Sequence, residues 1–285
     1  MTASKTLGRT GVSVSALGFG VSGPHASRAL PVSQTIKLIQ RAIELGITLF
    51  DTGPAYGNGE AEQRLGKAVA GADRDRLFVI TKVGIPSQST NGPVRDFTPS
   101  GIAASLDASL RRLKLDHVDG VLLHGPHADE ITDELFAKLA RLKASGKYRF
   151  LGLCGRGREV ELALDNTAFD ILMAPCHASI DQASRDRLKR ANNAGLGVIG
   201  IEAMAAATGR WRLPKSSSDL WYMARAVKQT MTGQLIESQT SSPGDALEWA
   251  LTRPYLDNVM SLTTRMSHLD ANARAAGLDL APSYS

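Results

Sequence analysis

Cysteine is scarce, with Cys154 and Cys176 the two thiols in 285 residues. Two thiols make no disulfide framework and suit a reducing compartment, so a cytoplasmic location is expected. No apolar run approaches the length of a membrane helix, and Met1 to Arg9 has no apolar signal core, which excludes a membrane partner at this level. The net charge of +5 has no matching block of Lys and Arg. Nucleic acid is therefore not an expected partner, and a small molecule, an anionic one included, is. Aromatic residues make up 5%, which leaves few platforms for stacking a sugar or a flat ligand. The Gly-x-Gly-x-x-Gly spacing of Gly18 to Gly23 starts inside the first apolar strand and does not lie between that strand and a helix, so the dinucleotide fingerprint of a doubly wound sheet is not in its required place. Repeats and linkers are absent too, and residues 1–285 are expected to form one domain. None of these features bears on oligomeric state.

What is present is alternation. With 43% hydrophobic and 21% charged residues, the chain is an ordinary globular one, long enough for a substantial core. Short apolar runs at Val14 to Phe19, Ile47 to Phe50, Leu77 to Thr81, Val118 to Leu123, Tyr148 to Leu153, Asp170 to Ala174, Val198 to Ile201 and Asn258 to Met260 read as strands. Segments of helical spacing separate them, several stopped by glycine at Gly46, Gly146 and Gly195. Before them, two short strands flank Arg9-Thr10-Gly11, and Pro86 to Asp96 reads as a polar loop. About eight buried strands alternating with helices predict a (β/α)8 TIM barrel with an N-terminal β-hairpin; an open doubly wound sheet is the alternative. Ala203 to Ser242 is partly irregular, with one helix around Leu220 to Val227. Its Trp211, Trp221 and Tyr222 could cover the barrel mouth or anchor the segment.

The strand ends carry the chemistry. Asp51, Lys82 and His124 each follow an apolar run, and Tyr56 lies on the Gly/Pro-rich turn just past Asp51. In a barrel these ends meet on one face. A buried Lys beside an acid stays charged, and its ammonium near a phenol is expected to lower the Tyr56 pKa from about 10. Such a tyrosine exchanges protons near neutral pH, with His124 orienting a carbonyl oxygen or relaying the proton. Taken singly, Asp51 could equally cap a turn and Tyr56 be an ordinary half-buried aromatic. His25 and His127 read as loop histidines at or near the mouth.

These motifs resemble the aldo-keto reductase superfamily, most closely its aldose dehydrogenase-like branch. The resemblance rests on Asp51-Thr52, Tyr56-Gly57, Glu60 and Leu65-Gly66; on Thr81-Lys82; on Ser105-Leu106, Ser109-Leu110, Leu113, Asp119 and His124-Gly125-Pro126; and on Gly146-Lys147, Arg149 and Leu151-Gly152. It covers Leu7 to about Asn272. It implies a TIM barrel, a catalytic set of Asp51, Tyr56, Lys82 and His124 with Tyr56 as acid/base, and hydride exchange between NADP or NAD and a small carbonyl or sugar-like substrate.

The second half departs from the family pattern. Cys154-Gly155 stands where the family has Ser-Asn, Met173 where it has Gln, Ile201 where an aromatic stacks on the nicotinamide, and Glu202 where a Ser lies near the pyrophosphate. Arg265 and Asn272 remain on the expected phosphate-gripping segment, with His268 between them. Each lost amide partner costs about 0.5–1.5 kcal/mol, and Glu202 would repel a pyrophosphate unless paired or protonated. Two alternatives therefore stand beside the reductase. One is a nicotinamide-independent lyase or isomerase using the same four residues, and the other a non-catalytic binding protein. His124, Cys154, Cys176 or His177, and Glu202 also form a candidate metal-ligand set, though no local ligand spacing supports it and no metal is expected.

Overall fold

The computed structural model describes residues 3–89, 92–205, 216–231 and 242–278. Eight parallel strands close into a barrel: β3 (Leu17–Gly20), β4 (Leu49–Asp51), β5 (Phe78–Val83), β8 (Val118–His124), β9 (Tyr148–Cys154), β10 (Ile171–Pro175), β11 (Gly197–Ile201) and β12 (Asn258–Ser261). They follow one another around the barrel in chain order, and β12 closes it by pairing with β3. The connections run through α1 (Val32–Glu44), α2 (Glu60–Val69), α3 (Pro99–Leu113), α4 (Asp133–Ala144), α5 (Glu159–Asp165) and α6 (Gln182–Asn193), then α7 (Ser217–Met231) and α8 (Pro243–Leu251), with α9 (Met266–Ala275) after the last strand. The predicted helix stops hold: α1, α4 and α6 end just before Gly46, Gly146 and Gly195. Thr98 caps α3 through Gly101 N, 3.1 Å away, with Pro99 at the first helical position.

Alternation along the strands sorts side chains into two layers. Residues on one face pack under the helices, among them Phe50, Val79, Val121, Leu153, Leu172 and Val198. Those on the other face fill the barrel, among them Leu49, Ile80, Leu122, Met173, Ile199 and Met260. The N-terminal hairpin, β1 (Ser4–Thr6) with β2 (Ser13–Ser15), sends Leu7 and Val14 into this inner cluster beside the first residues of β4, β5 and β10. It plugs the end of the barrel opposite the strand carboxyl termini. The hairpin begins earlier than the sequence suggests, and Val14 belongs to it rather than to the barrel.

Two local readings are corrected. The predicted loop Pro86 to Asp96 contains a small antiparallel pair, β6 (Ser87–Ser89) and β7 (Gly92–Val94), tied to the Tyr56 loop by Asn58 Oδ1 accepting from Gln88 N at 2.8 Å. His25, expected in a solvated loop, is fully buried. Its Nε2 lies 2.9 Å from Thr263 O, which can only accept, so Nε2 carries the proton and Nδ1 accepts from Thr35 Oγ1 at 3.3 Å. Arg64 donates to that same hydroxyl at 3.2 Å.

Burial is the main reason the His25 pKa falls to about 4, with the Arg64 charge adding to it. The unfolded chain then takes up this proton near pH 6.5 while the native state resists until about pH 4, so stability falls as pH drops through that window. The full effect is on the order of 3 kcal/mol. The melting temperature of the wild type is expected to drop between pH 7 and pH 5, and to drop less in His25→Gln; equal drops would refute the assignment.

Candidate active site

The Asp51–Tyr56 turn is shaped by close approaches. Gly57 has φ +62°, and a Cβ there would sit 2.1 Å from Ala26 O, so a side chain is excluded both by conformation and by space. Gly66 in α2 would clash in the same way with Leu113 O at 2.2 Å. This pulls α2 onto the end of α3. Glu62, fully buried on α2, accepts from Thr81 Oγ1 and from Arg112 Nε, each at 2.6 Å. The helix that follows Tyr56 is thereby strapped to the strand that carries Lys82.

Three strand-end residues and the tyrosine of the β4–α2 turn converge as the sequence predicts. Lys82 Nζ forms an ion pair and hydrogen bond with Asp51 Oδ1 and donates to Thr52 O at 2.9 Å. Asp51 is therefore not a turn cap. The same ammonium lies 5.0 Å from the Tyr56 ring centroid, and the His124 ring stands edge-on to Tyr56 with centroids 5.9 Å apart. Burial opposes the Lys82 charge, but Asp51 and its neighbours more than reverse this, and the lysine pKa is pushed up. Burial also drives His124 down to about 3, with help from the charges of Lys82, Arg156 and Arg95. It is a neutral imidazole at physiological pH.

Tyr56 departs from expectation. Burial is the largest influence and raises its pKa, Lys82 opposes, and the net shift is upward. Proximity to a cation alone predicts the reverse, but loss of water around a nascent phenolate outweighs one ammonium that Asp51 has already neutralised. The phenol is a resident proton donor at neutral pH.

The rim of the site differs from what its residues suggest singly. Cys154 and Met173 are buried in the inner apolar cluster, with Ile201 packed against it. Burial lifts the Cys154 thiol to about 11, so it stays protonated. Glu202, at φ +59° in the left-handed region, is paired with Arg156 Nη2 at 2.6 Å. This disposes of the unpaired carboxylate that would repel an anion. Arg156 escaped the sequence reading; its one signal is a cation two residues past a strand end. Arg95, which also biases His124, is held by Glu130 and donates to Gly125 O at 2.9 Å. Arg265 is gripped by both oxygens of Asp219 at 2.7 and 2.8 Å, and Asn272 donates to Ser261 Oγ at 2.9 Å. Trp221 on α7 lies against Gly23 of the β3–α1 connection; Trp211 falls outside the described residues. Among those residues no three His, Cys, Asp or Glu form a group that could hold a metal ion, and no helix is long and apolar enough to cross a membrane.

The model of the aldo/keto reductase family matches residues 16–283. This chain belongs to the aldo/keto reductase family. L-galactose dehydrogenase of Arabidopsis thaliana is 29% identical over 95% of this chain and 87% of its own length. D-threo-aldose 1-dehydrogenase of a Pseudomonas species is 26% identical over 95% of this chain and 92% of its own. Both agree with the branch that the motifs suggest. Among solved structures, the holo form of an aldo-keto reductase from Bacillus halodurans superposes with a TM-score of 0.77 at 22% identity, covering 99% of this chain and 93% of that one. That likeness bears on the fold, and the barrel of this family member is the one expected from its sequence.

Proposed function

We propose that the protein is an NAD(P)-dependent oxidoreductase that interconverts a carbonyl and an alcohol on a small, sugar-like molecule, with Tyr56 as the general acid/base. The observation that carries this reading is the Lys82 ammonium, locked between Asp51 and Thr52 O and lying against the Tyr56 ring. Tyr56 gives its proton to a carbonyl oxygen as that oxygen gains charge. His124, neutral and with Nδ1 buried and without a partner, turns its other nitrogen's N–H toward the same oxygen and orients it. Lys82 stabilises the phenolate left behind, and Asp51 keeps the ammonium in place. In the reverse direction the phenolate takes the alcohol proton, so oxidation is favoured by alkaline pH.

The residues present fit a nicotinamide cofactor, although by other means than the family's usual amides. Ile201, Met173 and Cys154 offer an apolar floor. A carboxamide needs one donor and one acceptor, and the Arg156–Glu202 pair carries both. Arg265, on release from Asp219, and Asn272, with the N–H that Ser261 leaves free, would hold the adenosine phosphates. When bound, the cofactor supplies or accepts the hydride. Titration with NADPH and NADH, read by calorimetry or fluorescence, is expected to give micromolar binding by at least one, weakened about tenfold or more by Arg265→Ala. Absence of binding at millimolar concentrations of both would overturn the reading.

A further inference from the structure

Beside the four-residue cluster, and lined by none of its members, a cavity of about 330 Å³ opens between α5, the β10–α6 connection and the ends of β10 and β11. Its polar wall is Arg156, Glu202, His177, Asp181, Ser184 and Arg187; Val160, Ala174, Ile180 and Leu188 supply an apolar wall. His177 is 6% exposed, and its Nδ1 is buried without a hydrogen-bond partner. A buried polar atom left so costs about 1–3 kcal/mol unless something in the cavity satisfies it.

The chemistry of the wall narrows what that is. Arg156 is paired with Glu202 at 2.6 Å, and the Asp181 carboxylate, held ionised mainly by hydrogen bonds from Ser184, lies near enough to interact with the Arg187 charge. An anion at Arg156 would have to displace a carboxylate already in place, and one at Arg187 would meet the nearby Asp181 charge. His177 is neutral, since burial lowers its pKa against the opposing pull of Glu202. A neutral imidazole nitrogen either donates or accepts, and a hydroxyl answers both tautomers where a carboxylate answers one. Arg187 Nη2 already donates to Ser184 Oγ at 2.9 Å, which leaves further guanidinium N–H groups for ligand oxygens. The apolar wall suits C–H faces. The volume holds roughly ten waters, or one six-carbon sugar, at the small end of ligand cavities.

The geometry points to this cavity as a binding site for a neutral, polyhydroxylated molecule of monosaccharide size, held by His177, Arg187, Ser184 and the Arg156–Glu202 pair. The site is distinct from the position where Tyr56 acts and stands without the activity proposed above. It shares with that position the Arg156–Glu202 wall, whose charges also reach Cys154.

The test is NMR of protein labelled at the histidine rings, titrated with D-glucose, D-galactose and D-glucuronate. The His177 resonance, identified by its loss in His177→Gln, is expected to move saturably with a neutral hexose in the millimolar range. Arg187→Ala, on a half-buried surface residue, is expected to weaken that hexose at least about fivefold, while Tyr56→Phe leaves it unchanged. No saturable movement up to roughly 0.1 M hexose overturns the proposal, leaving the nitrogen to water. Movement with glucuronate alone overturns it in favour of an anion site. Hexose affinity unaltered by Arg187→Ala, and unaltered in His177→Gln when read by calorimetry, places the sugar elsewhere and also overturns it. Hexose binding without turnover would count against the catalytic reading and not against this one.

Discussion

Tyr56→Phe is expected to lower the rate of carbonyl reduction by about 10²- to 10⁴-fold, the range for loss of a positioned acid, with melting temperature and cofactor affinity close to wild type. The substitution removes one oxygen from a half-buried ring and keeps the contact with His124 and the cation beneath it. Because burial lifts the Tyr56 pKa above 10, reduction in the wild type is expected to stay flat through neutral pH. Oxidation should climb as pH approaches and passes 10, since the phenolate is the form that accepts a proton. His124, already neutral above about pH 3, adds no inflection near pH 6.5. A Tyr56→Phe variant with undiminished kcat, or an oxidation rate that falls with rising alkalinity, would remove Tyr56 from the proton-transfer role.

The Lys82–Asp51 pair carries the second large effect, on stability as well as rate. Lys82 is 1% and Asp51 6% exposed. Removing one partner of a buried pair costs about 3–5 kcal/mol, because the survivor is left charged in a dry site. The two singles should not be equal. In Lys82→Met the carboxyl left behind is one that burial already pushes toward protonation, which limits the loss. In Asp51→Leu the ammonium keeps only neutral partners, Thr52 O at 2.9 Å and the Tyr56 hydroxyl, and the loss is expected to be larger. The double variant Asp51→Leu/Lys82→Met should recover most of the stability, since neither charge is stranded, yet stay as inactive as Lys82→Met. Urea midpoints and kcat of the three variants separate these outcomes. Additive losses in the double variant would mean that the two side chains do not act as a pair. For Lys82 the sign with pH is also set: a pKa raised in the folded state stabilises below about pH 10.5, and that contribution is lost as pH rises further through the folded value.

Much of the site was legible because its determinants are local. Asp51, Lys82 and His124 each end a short apolar run, and a parallel barrel places such ends on one face whatever the details of packing. Tyr56 could be placed for the same reason, five residues after a strand end on a turn rich in glycine. What escaped depends on partners remote in the chain. Glu202 reads as an isolated carboxylate until Arg156, from the loop after β9, reaches it across the end of β10. His25 reads as a loop residue until Thr263, 238 positions away, closes over it. Arg265 reads as a free phosphate ligand until α7 brings Asp219 to it. His127 and His268 gained no such assignment. The sign of the Tyr56 shift is the clearest case, since sequence supplies the neighbouring lysine but not the depth of burial that outweighs it.

By itself, then, the sequence determined the barrel and the identity of the four converging side chains, because hydrophobic period and strand-end position are properties of a few consecutive residues. The tertiary structure alone decided which charges are already spent on one another, which imidazoles are dry and neutral, and that the phenol holds its proton. Those depend on how much water is excluded and on which distant side chain fills its place, and no local pattern encodes either.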